Sequence, residues 1–231
     1  MPVHIHSTAP LAPRVLLPGD PGRALALAQL VLSEPRMFNH NRGLWGYTGM
    51  AADGEPMTIQ STGMGGPSAA IVLEELCDLG LERAIRVGTC GALDEGLELG
   101  DLIVADAALA TDGTSRALGA GERVHADAAL VERLRAAAGA GARVGSVATV
   151  DLFYDRGPSR TREFTSAGAL AIEMEAATIL RIGQLRGLPT ACLLAVTDVF
   201  GPDGERTRID DEGLVRAGED LGRVAAGALG A

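Results

Sequence analysis

Short apolar runs of strand length recur along this chain: RVLLP from Arg14, EPMTIQST from Glu55, RAIRVGT from Arg83 and GDLIVADAAL from Gly100. RVGSVATV from Arg143, GALAIEME from Gly168 and TACLLAVTD from Thr190 continue the series. Between them lie segments whose apolar residues return at helical spacing. PSAAIVLEELCDLGL, starting at Pro67, predicts a buried amphipathic helix, with the proline in the first turn where its missing N–H costs nothing. ADAALVERLRAAAGA, MEAATILRIGQLRG and EGLVRAGEDLGRVAAGAL predict three more, and another apolar helical segment opens at Arg23. Runs such as LIVADAAL are apolar at consecutive positions, which marks strands covered on both faces. The stretch LWGYTGMAADGEPMTIQST predicts a hairpin turned at Asp53-Gly54. No repeat and no Pro/Ser-rich linker interrupts the pattern. The expectation is an α/β protein with a single domain over residues 1–231, built on a central mixed β-sheet flanked by helices.

Composition narrows the chemistry. The net charge of −10 disfavours nucleic acid and anionic membrane surfaces, both of which select basic proteins. No apolar run approaches the roughly 20 residues of a membrane span. The N-terminus MPVHIHSTAP has neither the charge nor the apolar core of a secretory signal, so a cytoplasmic location is expected. The 3 cysteines, Cys77, Cys90 and Cys192, are scattered and odd in number, which fits reduced thiols better than disulfides or a zinc site. All 20 basic residues counted as Lys or Arg are arginine. Without a lysine, Schiff-base, pyridoxal, Walker-type and protein-kinase chemistry are excluded.

Ligands of open α/β sheets collect at the carboxyl ends of strands. Here those ends carry unusual residues: GDPGR after LLP, STGMGGPS after MTIQ, TCGAL after IRVG and TDVFG after LLAV. Strand, glycine turn and helix start make an anion cradle. Arg23, Arg86 and Thr89, with the backbone amides of Gly19 and Gly91, would suit a free tetrahedral oxyanion, since arginine forks grip two oxygens and a hydroxyl a third. Each piece has a plainer reading: GDPGR as a turn, GTCGAL as close strand–helix packing, Asp198 as a helix cap. Glu173 and Glu175 in AIEMEAA are harder to explain so. Two carboxylates at an apolar strand-to-helix junction are costly.

Taken together, LLPGDPGRA, NRGLWGYTG, STGMGGPSAAIVLEEL, IRVGTCGAL, DLFYD, AIEMEAATIL and AVTD resemble, in order, the nucleoside phosphorylase family that includes hexameric bacterial purine nucleoside phosphorylases and uridine phosphorylases. The resemblance implies phosphate binding by Gly19, Arg23, Arg86 and Thr89, with Arg42 reaching the neighbouring subunit's phosphate. His4 would meet the ribose 5′-hydroxyl of that same neighbouring site. Met174 and Glu175 would hold the ribose, Glu175 through its 2′- and 3′-hydroxyls. Glu173, Ile172, Cys90, Gly91, Phe153 and Tyr154 would line the nucleoside pocket, Glu173 and Phe153 on the base side. The partners implied are a nucleoside, phosphate and further copies of the chain, in a hexamer built as a trimer of dimers with shared sites. No metal and no cofactor beyond inorganic phosphate as co-substrate is expected.

The same resemblance makes Asp198 the acid that protonates a purine leaving group, with Arg206 or Arg208 as its helper. Valine follows Asp198 where the purine branch usually has histidine. FYDRGPSRTREF lacks the glutamine with which uridine phosphorylases recognise uracil, which favours purine nucleosides, although STGMGGPS resembles the uridine branch. The expected reaction releases a free purine and (deoxy)ribose 1-phosphate. Uridine phosphorolysis is the alternative, followed by a nucleosidase and a non-catalytic nucleoside-binding module.

Overall fold

The computed structural model describes residues 2–155, 160–201 and 205–230. Strand β1 (Arg14–Pro18) leads through Gly19 and Asp20 into helix α1 (Pro21–Val31), whose first backbone donors are met by Asp20: its carboxylate accepts from the Arg23 amide at 2.6 Å. Strands β2 (Ser33–Asn39), β3 (Gly46–Met50) and β4 (Pro56–Gln60) form an antiparallel meander, and the β3–β4 hairpin turns where expected, at Asp53 and a left-handed Gly54. Helix α2 (Gly66–Asp78) returns the chain to β5 (Arg83–Ala92). After β6 (Leu102–Ala110) come α3 (Gly113–Ala117), β7 (Arg123–His125), α4 (Ala128–Ala138) and β8 (Arg143–Thr149). Helix α5 (Thr161–Ser166), β9 (Ala169–Glu173), α6 (Ala176–Arg186), β10 (Thr190–Phe200), β11 (Arg206–Arg208) and α7 (Asp211–Gly230) complete the chain.

The eleven strands among the described residues belong to one mixed sheet. β4, β1, β5 and β10 run parallel, so the turns that follow them gather at one end of the sheet. β10 also pairs with β6, β6 with β8, β8 with β9 and β9 with β5. These pairings close a ring of strands, a closure that apolar periodicity alone does not announce. The sheet is covered on both faces, as the unbroken apolar runs require. Leu16 faces α1 and α7 through a cluster with Leu27, Leu221 and Leu229. Its neighbours Val15 and Leu17 face the other way, into a cluster with Leu73, Leu76 and Ile179 from α2 and α6. No helix among the described residues is long and apolar enough to cross a membrane.

β2 is absent from the sequence expectation. Five of its seven positions are exposed, so it carries no apolar pattern to read. At the opposite end of the sheet from the site, buried Arg14 binds Asp53 bidentately at 2.5 and 2.6 Å and donates to the carbonyls of Glu55 and Pro56. The guanidinium thereby ties the start of β1 to the hairpin turn, and a longer 3.4 Å contact from Nη1 reaches the carbonyl of Leu229 in α7.

Candidate active site

Arg86 on β5 is the centre of the constellation. Its guanidinium is 3% exposed and faces two carboxylates, donating from Nε to Glu173 at 2.9 Å and from Nη2 to Glu175 at 2.5 Å. Both glutamates thus turn onto the same guanidinium. β9 ends at Glu173, and the backbone of Glu175 has left the extended region (φ −139°, ψ −20°) to start α6, which swings both carboxylates onto one arginine. Burial alone would lower the pKa of Arg86, but Glu175 and Glu173 outweigh it and raise it, so the group stays charged.

The glutamates differ in what remains of their hydrogen-bonding capacity. Glu173 accepts from the Thr149 hydroxyl at 2.5 Å, from the Glu175 amide at 2.9 Å and from the Ala176 amide at 2.9 and 3.0 Å, besides Arg86. Its side chain has no exposed area. Its carboxylate is spent inward, fixing Arg86 and the start of α6. Glu175 accepts the Gly65 amide at 2.5 Å on one oxygen and Arg86 on the other. An ionised carboxylate offers about four lone-pair sites, so roughly half remain for a ligand.

Arg86 itself is incompletely satisfied. Its Nη1 is buried and has no hydrogen-bond partner. A buried charged donor without an acceptor is costly unless something fills the gap. Arg23, on the first turn of α1, lies in the same field. Burial lowers its pKa, Asp20 raises it, Arg86 lowers it further and Glu175 raises it, with a net fall. The two guanidiniums thus work against one another's charge. Gly19 lies at the β1–α1 turn beside the Gly63 carbonyl, and Thr89 is half-buried in a stretch of β5 whose neighbours are all buried.

A second half of the site surrounds Asp198. β10 bulges between Val196 and Asp198 where it meets β5, re-aiming the carboxylate at the strand end. Asp198 Oδ1 accepts from Arg206 Nε at 2.7 Å and from Arg208 Nη1 at 3.3 Å, and Oδ2 accepts the Thr197 hydroxyl at 2.9 Å. Both arginines come from β11, which pairs antiparallel with the end of β10. The Arg206 guanidinium also lies over the Phe153 ring at 4.8 Å, and Phe153 meets Tyr154 edge-to-face at 4.9 Å. Gly91 is the register partner of both Asp198 and Ile172, and so joins the two halves. Cys90 is buried beside it, its thiol 3.5 Å from the Ala195 carbonyl and its pKa pushed well up by burial. Met174 is half-buried between the two glutamates.

Phe200 was not foreseen. Its ring packs on Gly91, so close that a Cβ at that glycine would stand 3.1 Å from it, and it pairs across the ladder with Arg206. The available signal was its position two residues beyond Asp198 on one strand, which puts both on the same face. Residues 156–159, within the stretch FYDRGPSRTREF that lacks a uracil-recognising glutamine, lie outside the described residues, as do 202–204.

His4 has local partners of its own, and Arg42 lies next to one of them. Glu75, in the last turn of α2, accepts the amides of Val3, His4 and Ile5 and contacts His4 Nδ1 at 2.7 Å. Burial works against the charge of Glu75, but the His4 ring and those amides outweigh it and hold its pKa down to about 2. Glu175 meets the other end of the same helix, roughly 15 Å away at about 1.5 Å per residue. Arg42 is exposed, has a left-handed backbone (φ 56°), and follows Asn41, whose amide donates to the His4 carbonyl at 2.9 Å. Asn41 thus places Arg42 near His4.

A family model described as the phosphorylase superfamily matches residues 13–229. The chain belongs to this superfamily. Its sequence is 37% identical over 215 residues to a protein of Alkaliphilus metalliredigens named purine nucleoside phosphorylase DeoD-type, covering 90% of this chain and 91% of that one. A protein of the same name from Oceanobacillus iheyensis is 37% identical over 207 residues, 86% of this chain and 87% of its own. Among solved structures, a uridine phosphorylase from Vibrio fischeri superposes with a TM-score of 0.84 at 26% identity, covering 95% of this chain and 92% of that one. The α/β superfamily member expected from the strand ends is therefore the one observed.

Proposed function

We propose that this phosphorylase-superfamily member cleaves purine nucleosides with inorganic phosphate, giving free base and (deoxy)ribose 1-phosphate. The observation that carries the reading is Arg86: a buried, permanently charged guanidinium with one unpaired nitrogen, whose charge also reaches Arg23. Arg23, Arg86, Thr89 and the Gly19 backbone hold the phosphate in this account. Glu175 takes the ribose hydroxyls on its free lone pairs, over Met174. Cys90, Gly91, Ile172, Phe153 and Tyr154 enclose the base, joined by Phe200. Phosphate is the co-substrate, and no other cofactor takes part.

A phosphate oxygen attacks C1′ while the bond from C1′ to the base breaks and its electron pair leaves with the purine. The sugar passes through a cationic, oxocarbenium-like state of the kind usual in glycosyl transfer, which the bound anion stabilises. Asp198 supplies the proton that neutralises the departing purine. As it stands, Oδ1 is engaged by two arginines, so proton delivery requires a protonated Asp198 with Arg206 and Arg208 released from that oxygen. Arg206, held between Phe153 and Asp198, would then be free to follow the charge on the base.

The purine-named relatives and the presence of Asp198 support purine over pyrimidine. Uridine phosphorolysis is the second reading, favoured by the Vibrio fischeri structure and by the STGMGGPS stretch. The arginine set argues against a nucleosidase or a non-catalytic binding module, neither of which needs to grip phosphate. Cytoplasmic purine salvage, in a hexamer whose sites borrow His4 and Arg42 from a neighbour, completes the proposal.

Two substitutions test it. Arg23→Ala should raise the phosphate KM about 10- to 100-fold, the value of one charge-assisted hydrogen bond of about 1.5–3 kcal/mol; an unchanged KM removes Arg23 from the phosphate site. Asp198→Asn should slow purine nucleoside cleavage by about 10²- to 10⁴-fold, the usual range for a general acid. A wild-type rate in that variant would remove Asp198 as the acid.

A further inference from the structure

We propose that Gly88 is a positioning residue for phosphate, acting through Arg86; the role rests on the phosphorolysis reading above. On β5, residues 86 and 88 share one face. The Arg86 side chain runs along the strand and lays its guanidinium directly over Gly88. A Cβ at Gly88 would stand 2.7 Å from Nη2 and 2.9 Å from Cζ, and 3.2 Å from Leu194 Cδ2 on the paired strand β10. Contacts that short force something to move.

An exposed arginine would swing aside at little cost. Arg86 has no such freedom. Glu173 holds Nε, Glu175 holds Nη2, and burial removes the water that would replace either contact. A methyl group at position 88 must therefore lift the guanidinium off the strand, away from at least one carboxylate. The direction of the remaining nitrogen, the unpartnered Nη1, changes with it. Absence of a side chain at Gly88 thus fixes where Nη1 points. The residue touches neither substrate in this account and affects phosphate only by where it lets Arg86 lie. Its conformation does not demand glycine, since only the space above it does.

The test is a double-mutant cycle between Gly88→Ala and Arg86→Gln. Glutamine retains a donor near Glu173 but lacks Cζ and both Nη atoms, which are the atoms the methyl would strike. In the otherwise wild-type chain, G88A should raise the phosphate KM at least tenfold and lower the urea midpoint. In the R86Q background, G88A should leave the phosphate KM unmoved and lower the urea midpoint by clearly less than in the wild-type chain, because the guanidinium is already gone and only the 3.2 Å contact with Leu194 remains. Equal effects of G88A in both backgrounds would overturn the positioning role and leave the phosphorolysis reading standing. If G88A alone does not fold, the R86Q/G88A chain decides: a folded chain supports the role, and failure to fold overturns it. A wild-type chain that releases purine at the same rate without phosphate would overturn both.

Discussion

Arg86 shows how much of this site depends on one side chain with more demands than partners. Removing a buried charge from a paired cluster leaves the others unpaired, at a cost of about 3–5 kcal/mol. Arg86→Ala is therefore expected to damage fold and function together, which is why Arg23 is the cleaner probe of phosphate. Asp198 presents a similar choice between helpers. Arg206 approaches at 2.7 Å and is braced by the Phe153 ring, whereas Arg208 stands at 3.3 Å and is more exposed. Arg206→Ala should lower kcat for purine nucleosides several-fold more than Arg208→Ala, measured side by side; the reverse order would assign the helper to Arg208. At this scale the sequence showed residue types well and directions poorly. Glu173 and Glu175 were visible as two expensive carboxylates. That both would turn onto Arg86 depended on where β9 gives way to α6, a boundary that apolar spacing does not fix to one residue. Phe200 was overlooked because a lone aromatic at a strand end carries no pattern of its own.

The elements that place these residues were mostly legible, because each buries an apolar face and so writes its period into the sequence. β1, β5 and β10 are buried on both sides and appear as unbroken apolar runs. β2 and β11 face water for most or all of their length and left no such trace, although β11 delivers both arginines to Asp198. Ring closure through β9 was equally hidden, since pairing between distant strands is a property of register, not of composition. One clasp between elements carries a pH signature. The side-chain bonds from Arg14 outweigh partial burial and hold Asp53 down to about 2, from an ordinary 3.8. A carboxylate with a depressed folded-state pKa stabilises fully above its unfolded value and loses that contribution as pH falls through the folded one. The stability gap between wild type and Asp53→Asn should therefore be constant above about pH 5, shrink between pH 4 and 2, and vanish below that. Urea unfolding of both chains across this range is the check, and a gap undiminished at pH 2 would contradict the clasp.

For the whole molecule, the placement of His4 and Arg42 matters most. His4 is tied to Glu75, roughly 15 Å along α2 from the end that Glu175 caps, and Arg42 follows the Asn41 that bonds to His4. If neighbouring copies lend them, inactive variants should complement one another. Co-expressed Arg23→Ala and Arg42→Ala chains would form mixed pairs in which one site has both arginines intact. With random pairing and two-fold sharing, activity at low phosphate should approach about a quarter of wild type, although each variant alone is poor. Activity no greater than the mean of the two parents would mean that each chain works with its own residues only. The central claim, phosphate-dependent cleavage of purine nucleosides, has a more direct test. Base release from adenosine, inosine, guanosine and uridine is followed by absorbance with and without inorganic phosphate. The account predicts release from one or more of the purine nucleosides only when phosphate is present; release without phosphate, or from uridine alone, would contradict it.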